Sequence, residues 1–194
     1  MTDTAPPGKL NCVVTYLEMR APPRRPNVLP AGSKIALMRA ERPTASFYRY
    51  LYNTVGEPWF WFERRKLDDA ALEAIIQDPE VQVFVLYADG VPAGYAELDG
   101  RTGSDIELAY FGLIPDFIGR GLGVYLLGWV ADEAWRQTPE RFWVHTCNLD
   151  HPRALGMYQR AGFTVYRQDS GLIDDPRESG LIPAGTPLPP GAGG

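Results

Sequence analysis

Gly119-Arg120-Gly121-Leu122-Gly123-Val124 sets three glycines at alternate positions just before a long apolar stretch. An apolar run, Ile106 to Ile114, leads into it, and Pro115 ends that run. A glycine-rich turn at a helix start presents unpaired backbone N–H groups and the positive end of the helix dipole. That combination binds phosphate. Arg120 adds a cation that can point at phosphate oxygens. Two common phosphate compounds are poor fits. A nucleoside-triphosphate loop needs Gly-x4-Gly-Lys-Ser/Thr, and no lysine follows Gly123. The dinucleotide fingerprint needs Gly-x-Gly-x-x-Gly after the first strand of a parallel sheet. Here the spacing is Gly-x-Gly-x-Gly, and the strands before it read as antiparallel.

The other chemistry-bearing residues are scattered. Glu107 sits between the apolar Ile106 and Leu108. A carboxylate among apolar neighbours keeps its proton more readily than one in water, which suits a base near neutral pH. The two histidines, His145 and His151, stand in no cluster with cysteine or carboxylate at metal-ligand spacing, so no metal is expected. His145 falls inside a strand, where a structural role is the commoner one. His151 precedes Pro152 and can cap a helix there. Cys12 and Cys147 are the two cysteines, without metal-type spacing, and read as isolated thiols of a reducing compartment. The segment from Phe47 to Phe62 is densely aromatic. Tyr52, Trp59 and Trp61 can line an amine pocket, since aromatic faces attract cations; equally, they can be core under two short helices.

Elements must place these groups. Cys12 to Arg20 alternates as a strand, Ala21 to Gly32 holds four prolines and reads as a loop, and Lys34 to Arg39 is a second short strand. Pro43 and Thr44 start a helix whose aromatic residues recur at three- and four-residue spacings, and Gly56-Glu57-Pro58 breaks it. Asp68 or Asp69 caps a second helix, which Asp78-Pro79 ends. Val81 to Tyr87 and Val91 to Asp99 are strands joined by Asp89-Gly90, a strong hairpin signal. Gly100 to Ser104 turns into the strand 105 to 114. After the glycine loop an almost uncharged helix runs to about Gln137, then a strand at Phe142 to Cys147. A helix starting at Pro152, capped by Asp150 or His151, ends at Gly162, and a last strand starts at Thr164. Strands first, then strand–helix–strand–helix–strand, is a mixed α/β pattern with a right-handed parallel crossover around the glycine loop.

Bulk properties bound the reading. The chain has 194 residues, 45% of them apolar, enough for one domain with a real core. A net charge of −5 argues against nucleic acid as a main partner. No apolar run approaches the ~20 residues of a membrane span, and Met1 to Lys9 lacks the blocks of a signal peptide. A cytoplasmic protein with no membrane partner is expected.

The chain resembles the GNAT acetyltransferases, which use acetyl-coenzyme A. Their pyrophosphate loop reads Gln/Arg-x-x-Gly-x-Gly/Ala, and Ile118-Gly119-Arg120-Gly121-Leu122-Gly123 matches its glycines, with Ile118 where Gln or Arg is usual. Their later Ala-x3-Tyr-x3-Gly-Phe segment is present from Ala154 through Tyr158 to Gly162-Phe163. The resemblance covers about residues 34 to 170 and is most specific from Glu107 to Phe163. It implies a GNAT fold: a mostly antiparallel sheet of six to seven strands, a parallel, splayed central pair and about four helices. Composition, not the resemblance, sets the domain at 10–175: the start at 1–9 is polar with two prolines and reads as flexible, and 176–194 reads as a Pro/Gly-rich tail. The resemblance implies that acetyl-coenzyme A lies along Phe111, Gly112 and Leu113, with its diphosphate on Gly119, Arg120, Gly121, Leu122 and Gly123 and its arm near His151. It further implies that a primary amine, on a small molecule or a peptide end, attacks the thioester, with Glu107 or water as base and Tyr158 as acid to the thiolate. The same fold also allows coenzyme A binding without catalysis, or a longer acyl chain. A homodimer is a common outcome for enzymes of this size.

Overall fold

The computed structural model describes residues 5–24, 27–30 and 34–192. Parts of the expected flexible start, proline-rich loop and tail (residues 1–4, 25–26, 31–33 and 193–194) lie outside them. Seven strands form one sheet: β1 (Lys9–Met19), β2 (Ile35–Ala40), β3 (Val81–Ala88), β4 (Val91–Asp99), β5 (Asp105–Leu113), β6 (Arg141–Cys147) and β7 (Thr164–Asp174). Among the described residues four α-helices accompany them: α1 (Ala45–Gly56), α2 (Asp69–Ile76), α3 (Leu122–Arg136) and α4 (Ala154–Ala161). The strand order is β2-β3-β4-β5-β6-β1-β7. Every neighbouring pair is antiparallel except β5 with β6, which is parallel. This is the mixed sheet that the sequence predicts.

Local chemistry explains the boundaries. The Thr44 hydroxyl accepts from the Phe47 amide at the start of α1, and the Asp68 carboxylate accepts from the Ala71 amide at the start of α2. Asp89 and Gly90 both adopt positive φ, as a tight primed hairpin turn requires. Some boundaries differ from expectation: β1 starts at Lys9 rather than Cys12, and the last helix is shifted too. It starts at Ala154 rather than Pro152, and no side chain caps it. The Asp150 carboxylate is already engaged by the Thr146 hydroxyl and the Cys147 amide, and His151 Nδ1 accepts from the Arg153 amide.

The two sheet faces bury different cores. α3 and α4 pack Leu122, Leu126, Val130 and Tyr158 against Leu98, Leu108, Phe142 and Val144. α1 and α2 pack Tyr48, Leu51, Tyr52, Leu72 and Ile76 against Val83, Val85 and Tyr95 on the other side. The residues after Asp175 form no helix or strand within 176–192, yet they are tied down. Ile182 is fully buried beside Leu10 and Phe60, Arg65 donates to the Leu181 carbonyl, and Asn148 donates to the Gly191 carbonyl.

Candidate active site

The site begins with two irregularities of β5. The first is a bulge. Leu98 pairs with Leu108 and Glu97 with Tyr110, so Ala109 is an extra residue. A bulge reverses the side-to-side alternation of the strand. Leu108 therefore packs on the α3 side, Tyr110 on the α1 side, and Phe111 and Leu113 on the α3 side again. The second is a divergence. β5 and β6 pair only over Asp105–Arg141, Ile106–Phe142 and Glu107–Trp143. Beyond that point each strand continues without the other, and a slot opens between them. Strand edges unpaired with each other leave backbone groups available to an extended ligand.

A cavity of about 640 Å³ fills this slot. It reaches both faces of the sheet. On the α3 side its wall is Phe111, Leu113, Gly119, Gly121, Gly123, Val124, Met157 and Tyr158. On the other side it is Trp59, Trp61, Phe62, Glu63, Tyr110 and His145. The glycine loop lies at its rim. Gly119 and Gly121 have φ of +88° and +78°, which a side chain would strain. Gly121 is the N-cap of α3 and no side chain caps that helix, so its first N–H groups are free of side-chain partners.

The residues expected at the site divide into two groups. Phe111, Gly112, Leu113, Gly119, Gly121, Gly123, His151, Trp59, Trp61 and Tyr158 all line the cavity. Tyr52, Arg120, Leu122 and Glu107 do not. Tyr52 sinks into the core instead, 1% exposed, because its ring packs on Trp61 and Tyr110 and its hydroxyl donates to Glu63. Arg120 folds back, with its guanidinium over the Phe117 ring and donating to the Asp116 carbonyl at 2.8 Å. Leu122 is buried under α3, as an apolar side chain in the first helical turn is free to be. Glu107 lies beside the wall and reaches it through His145, whose Nδ1 is 3.1 Å from the Glu107 carboxylate.

Electrostatics separate the two wall histidines. His145 has its basicity raised, first by the hydrogen bond to Glu107, with burial opposing. His151 is lowered, by burial and then by Arg153. The Tyr158 phenol is held well above its ordinary value by burial, with a further push from Asp150. It therefore stays protonated across the physiological range and keeps a proton to donate there.

Sequence reading assigned no role to several wall residues. Arg153, at the N-cap of α4, and Met157 and Arg160, within it, line the cavity. Their spacing of four and then three residues puts them on one helix face, and that period was the available signal. Cys12 and Cys147 also meet on the wall, from neighbouring strands, with the Cys147 thiol raised by the contact with Cys12 and by burial. Only the β1–β6 register brings them together. Among the described residues, no three His, Cys, Asp or Glu side chains gather as a metal site would need, and no helix is long and apolar enough to cross a membrane.

Comparison with known proteins fits this geometry. The model of the acetyltransferase (GNAT) family matches residues 48–163, more than half of the chain. No curated protein matches in sequence. Solved structures share the fold. A GCN5-related N-acetyltransferase from Sphaerobacter thermophilus superposes with TM-score 0.60 at 19% identity, covering 84% of this chain and 50% of that one. One from Kribbella flavida gives TM-score 0.56 at 17% identity, covering 87% and 60%. The chain thus spans half to three-fifths of the length of these two relatives. An aminoglycoside N-acetyltransferase in complex with CoA gives TM-score 0.52 at 22% identity, covering 72% of this chain and 95% of that one.

Proposed function

This chain belongs to the GNAT acetyltransferase family, and from that premise we propose that it transfers an acetyl group from acetyl-coenzyme A to a primary amine on a small molecule. The observation that carries the reading is the glycine turn at the N-terminus of α3, set at the rim of the slot where β5 and β6 part. The residues present suit the co-substrate. The uncapped helix end and its glycine neighbours offer amide hydrogens to the diphosphate. Phe111 to Leu113, unpaired with β6, offers a strand edge to the amide-bearing arm. Arg153 and Arg160 bring cations to the same rim.

The acceptor enters from the opposite face. Trp59, Trp61, Phe62 and Tyr110 supply aromatic walls, and Glu63 and Asp150 supply negative charge. A cationic amine is stabilised by both. The amine nitrogen forms its bond to the carbonyl carbon as the carbon–sulfur bond breaks and sulfur leaves with the electron pair. Tyr158, protonated throughout, donates to that sulfur.

Two measurements test the proposal. Isothermal titration with acetyl-coenzyme A gives saturable binding; no heat at about 1 mM rejects the reading. Incubation with a panel of amines, read by free thiol, gives coenzyme A release with at least one of them. Binding without release from any amine leaves a carrier-binding module instead.

A further inference from the structure

Glu107 and His145 form a paired unit whose histidine the acyl-transfer reading leaves without a role, and this inference rests on that reading. Of the two, only His145 lines the cavity. Its ring packs against Tyr16 at 6.0 Å and Trp143 at 6.2 Å between centroids, and those two rings are themselves 6.5 Å apart. Its Nδ1 sits 3.1 Å from Glu107 Oε1. A carboxylate only accepts, so Nδ1 carries the hydrogen and donates it. The tautomer that follows leaves the lone pair on Nε2, and no described residue hydrogen-bonds that atom. The pair exists because β5 and β6 run parallel. Glu107 registers with Trp143, and His145 lies two residues further on the same face.

We propose that His145 Nε2 is the general base that takes the proton from the acceptor's ammonium, and that Glu107 is the positioning residue that fixes its tautomer and ring orientation. The balance is complete. One ammonium proton passes to Nε2 and then to water, freeing the nitrogen lone pair. That pair bonds the carbonyl carbon, the carbon–sulfur bond breaks, and sulfur leaves with its electrons. A second proton leaves the nitrogen as the amide forms, and sulfur gains one from the Tyr158 hydroxyl, which is refilled through solvent. The charged neighbours favour the protonated ring afterwards. Glu107 faces it from β5, Asp150 from the loop after β6, Glu63 from the segment after α1, and the Cys12 thiol from β1. Arg141 and Arg167 stand one ring away, over Trp143 and Tyr16. The dominant partner is Glu107, and it raises the histidine's affinity for a proton.

The experiment has an arm that needs no acceptor. Imidazole NMR titration of the full chain places His145 above the ordinary histidine value, and Glu107→Gln moves it down; an unmoved titration overturns the pairing. The second arm uses acetyl-coenzyme A with spermidine, kanamycin A and tyramine. His145→Gln loses about 10²- to 10⁴-fold in kcat/KM with acetyl-coenzyme A affinity retained. His145→Ala recovers activity with added imidazole. Glu107→Gln shifts the acidic limb of kcat/KM to lower pH, because a base that binds its proton less tightly is free sooner. A Glu107→Gln profile that instead loses its acidic limb makes Glu107 the base and overturns the assignment. Turnover within about threefold of wild type in His145→Gln also overturns it, while leaving acyl transfer standing. A wild type that releases no coenzyme A from any of the three amines overturns acyl transfer, and the base with it.

Discussion

Arg64 holds the fully buried Glu97 carboxylate at 2.6 Å, one layer behind the acceptor wall. The same guanidinium lies over the Tyr110 ring at 5.2 Å, and Tyr48 donates to the other carboxylate oxygen. Burial raises the Glu97 carboxyl, and Arg64 and Tyr48 oppose that rise. The unit joins α1, β4 and the turn after Trp61, and it sets Tyr110, a wall residue, in place.

Removing Arg64 alone leaves a buried charge without its partner. Arg64→Met is expected to cost about 3–5 kcal/mol in urea unfolding, and Arg64→Met with Glu97→Gln to recover part of that. The pH sign follows from the raised carboxyl. An acid that binds its proton more tightly when folded contributes most stability below its unfolded value, and loses it as pH rises through the folded value. Arg64→Met widens that window, so its deficit relative to wild type is larger at pH 8 than at pH 5.

Gly121 has room for a methyl group, since a Cβ added there would meet Pro30 Cγ, its nearest neighbour, at 3.8 Å. Gly121→Ala thus measures backbone strain alone, about 1–2 kcal/mol for a left-handed residue. Where the loop relaxes away from that conformation, the amide cradle opens. Titration with acetyl-coenzyme A is expected to show binding weakened about tenfold. Unchanged affinity places the diphosphate elsewhere.

Tyr158→Phe removes only a hydroxyl, and the ring keeps its contacts with Phe111 and Phe163. Acetyl-coenzyme A affinity is expected to hold while kcat falls by about 10²-fold. The raised phenol also means that wild type shows no basic limb from this group below its ordinary value. A Tyr158→Phe enzyme with the wild-type kcat removes Tyr158 from the chemistry.

Trp59 and Tyr52 are expected to part company on mutation. Trp59 lines the cavity and meets His151 edge to face at 5.0 Å. Trp59→Ala raises KM for the amine with acetyl-coenzyme A affinity retained. Tyr52→Phe leaves KM alone. It removes the hydroxyl that donates to Glu63 and accepts from the Arg64 amide, both at 3.2 Å, and costs about 1–3 kcal/mol of stability. Denaturant melts beside initial rates separate the two outcomes.

Much of this molecule was written in local pattern. The helix caps Thr44 and Asp68 and the Asp89-Gly90 turn act over four residues or fewer, so sequence spacing determined them. The glycine turn before α3 and the Tyr158 segment after β6 were equally legible, because each is a single contiguous stretch. Tertiary structure decided the rest. Glu107 and His145 are 38 residues apart and meet only through the parallel β5–β6 register. The Ala109 bulge, invisible in composition, sends Leu108 and Tyr110, two positions apart, to opposite faces. Tyr52 and Trp61 belong to one aromatic segment, yet one is core and the other is wall, because α1 turns the first toward β4 and β5. Short-range rules fix which element forms; which side chains then share a cavity depends on strand register, and register is set by packing across the whole sheet.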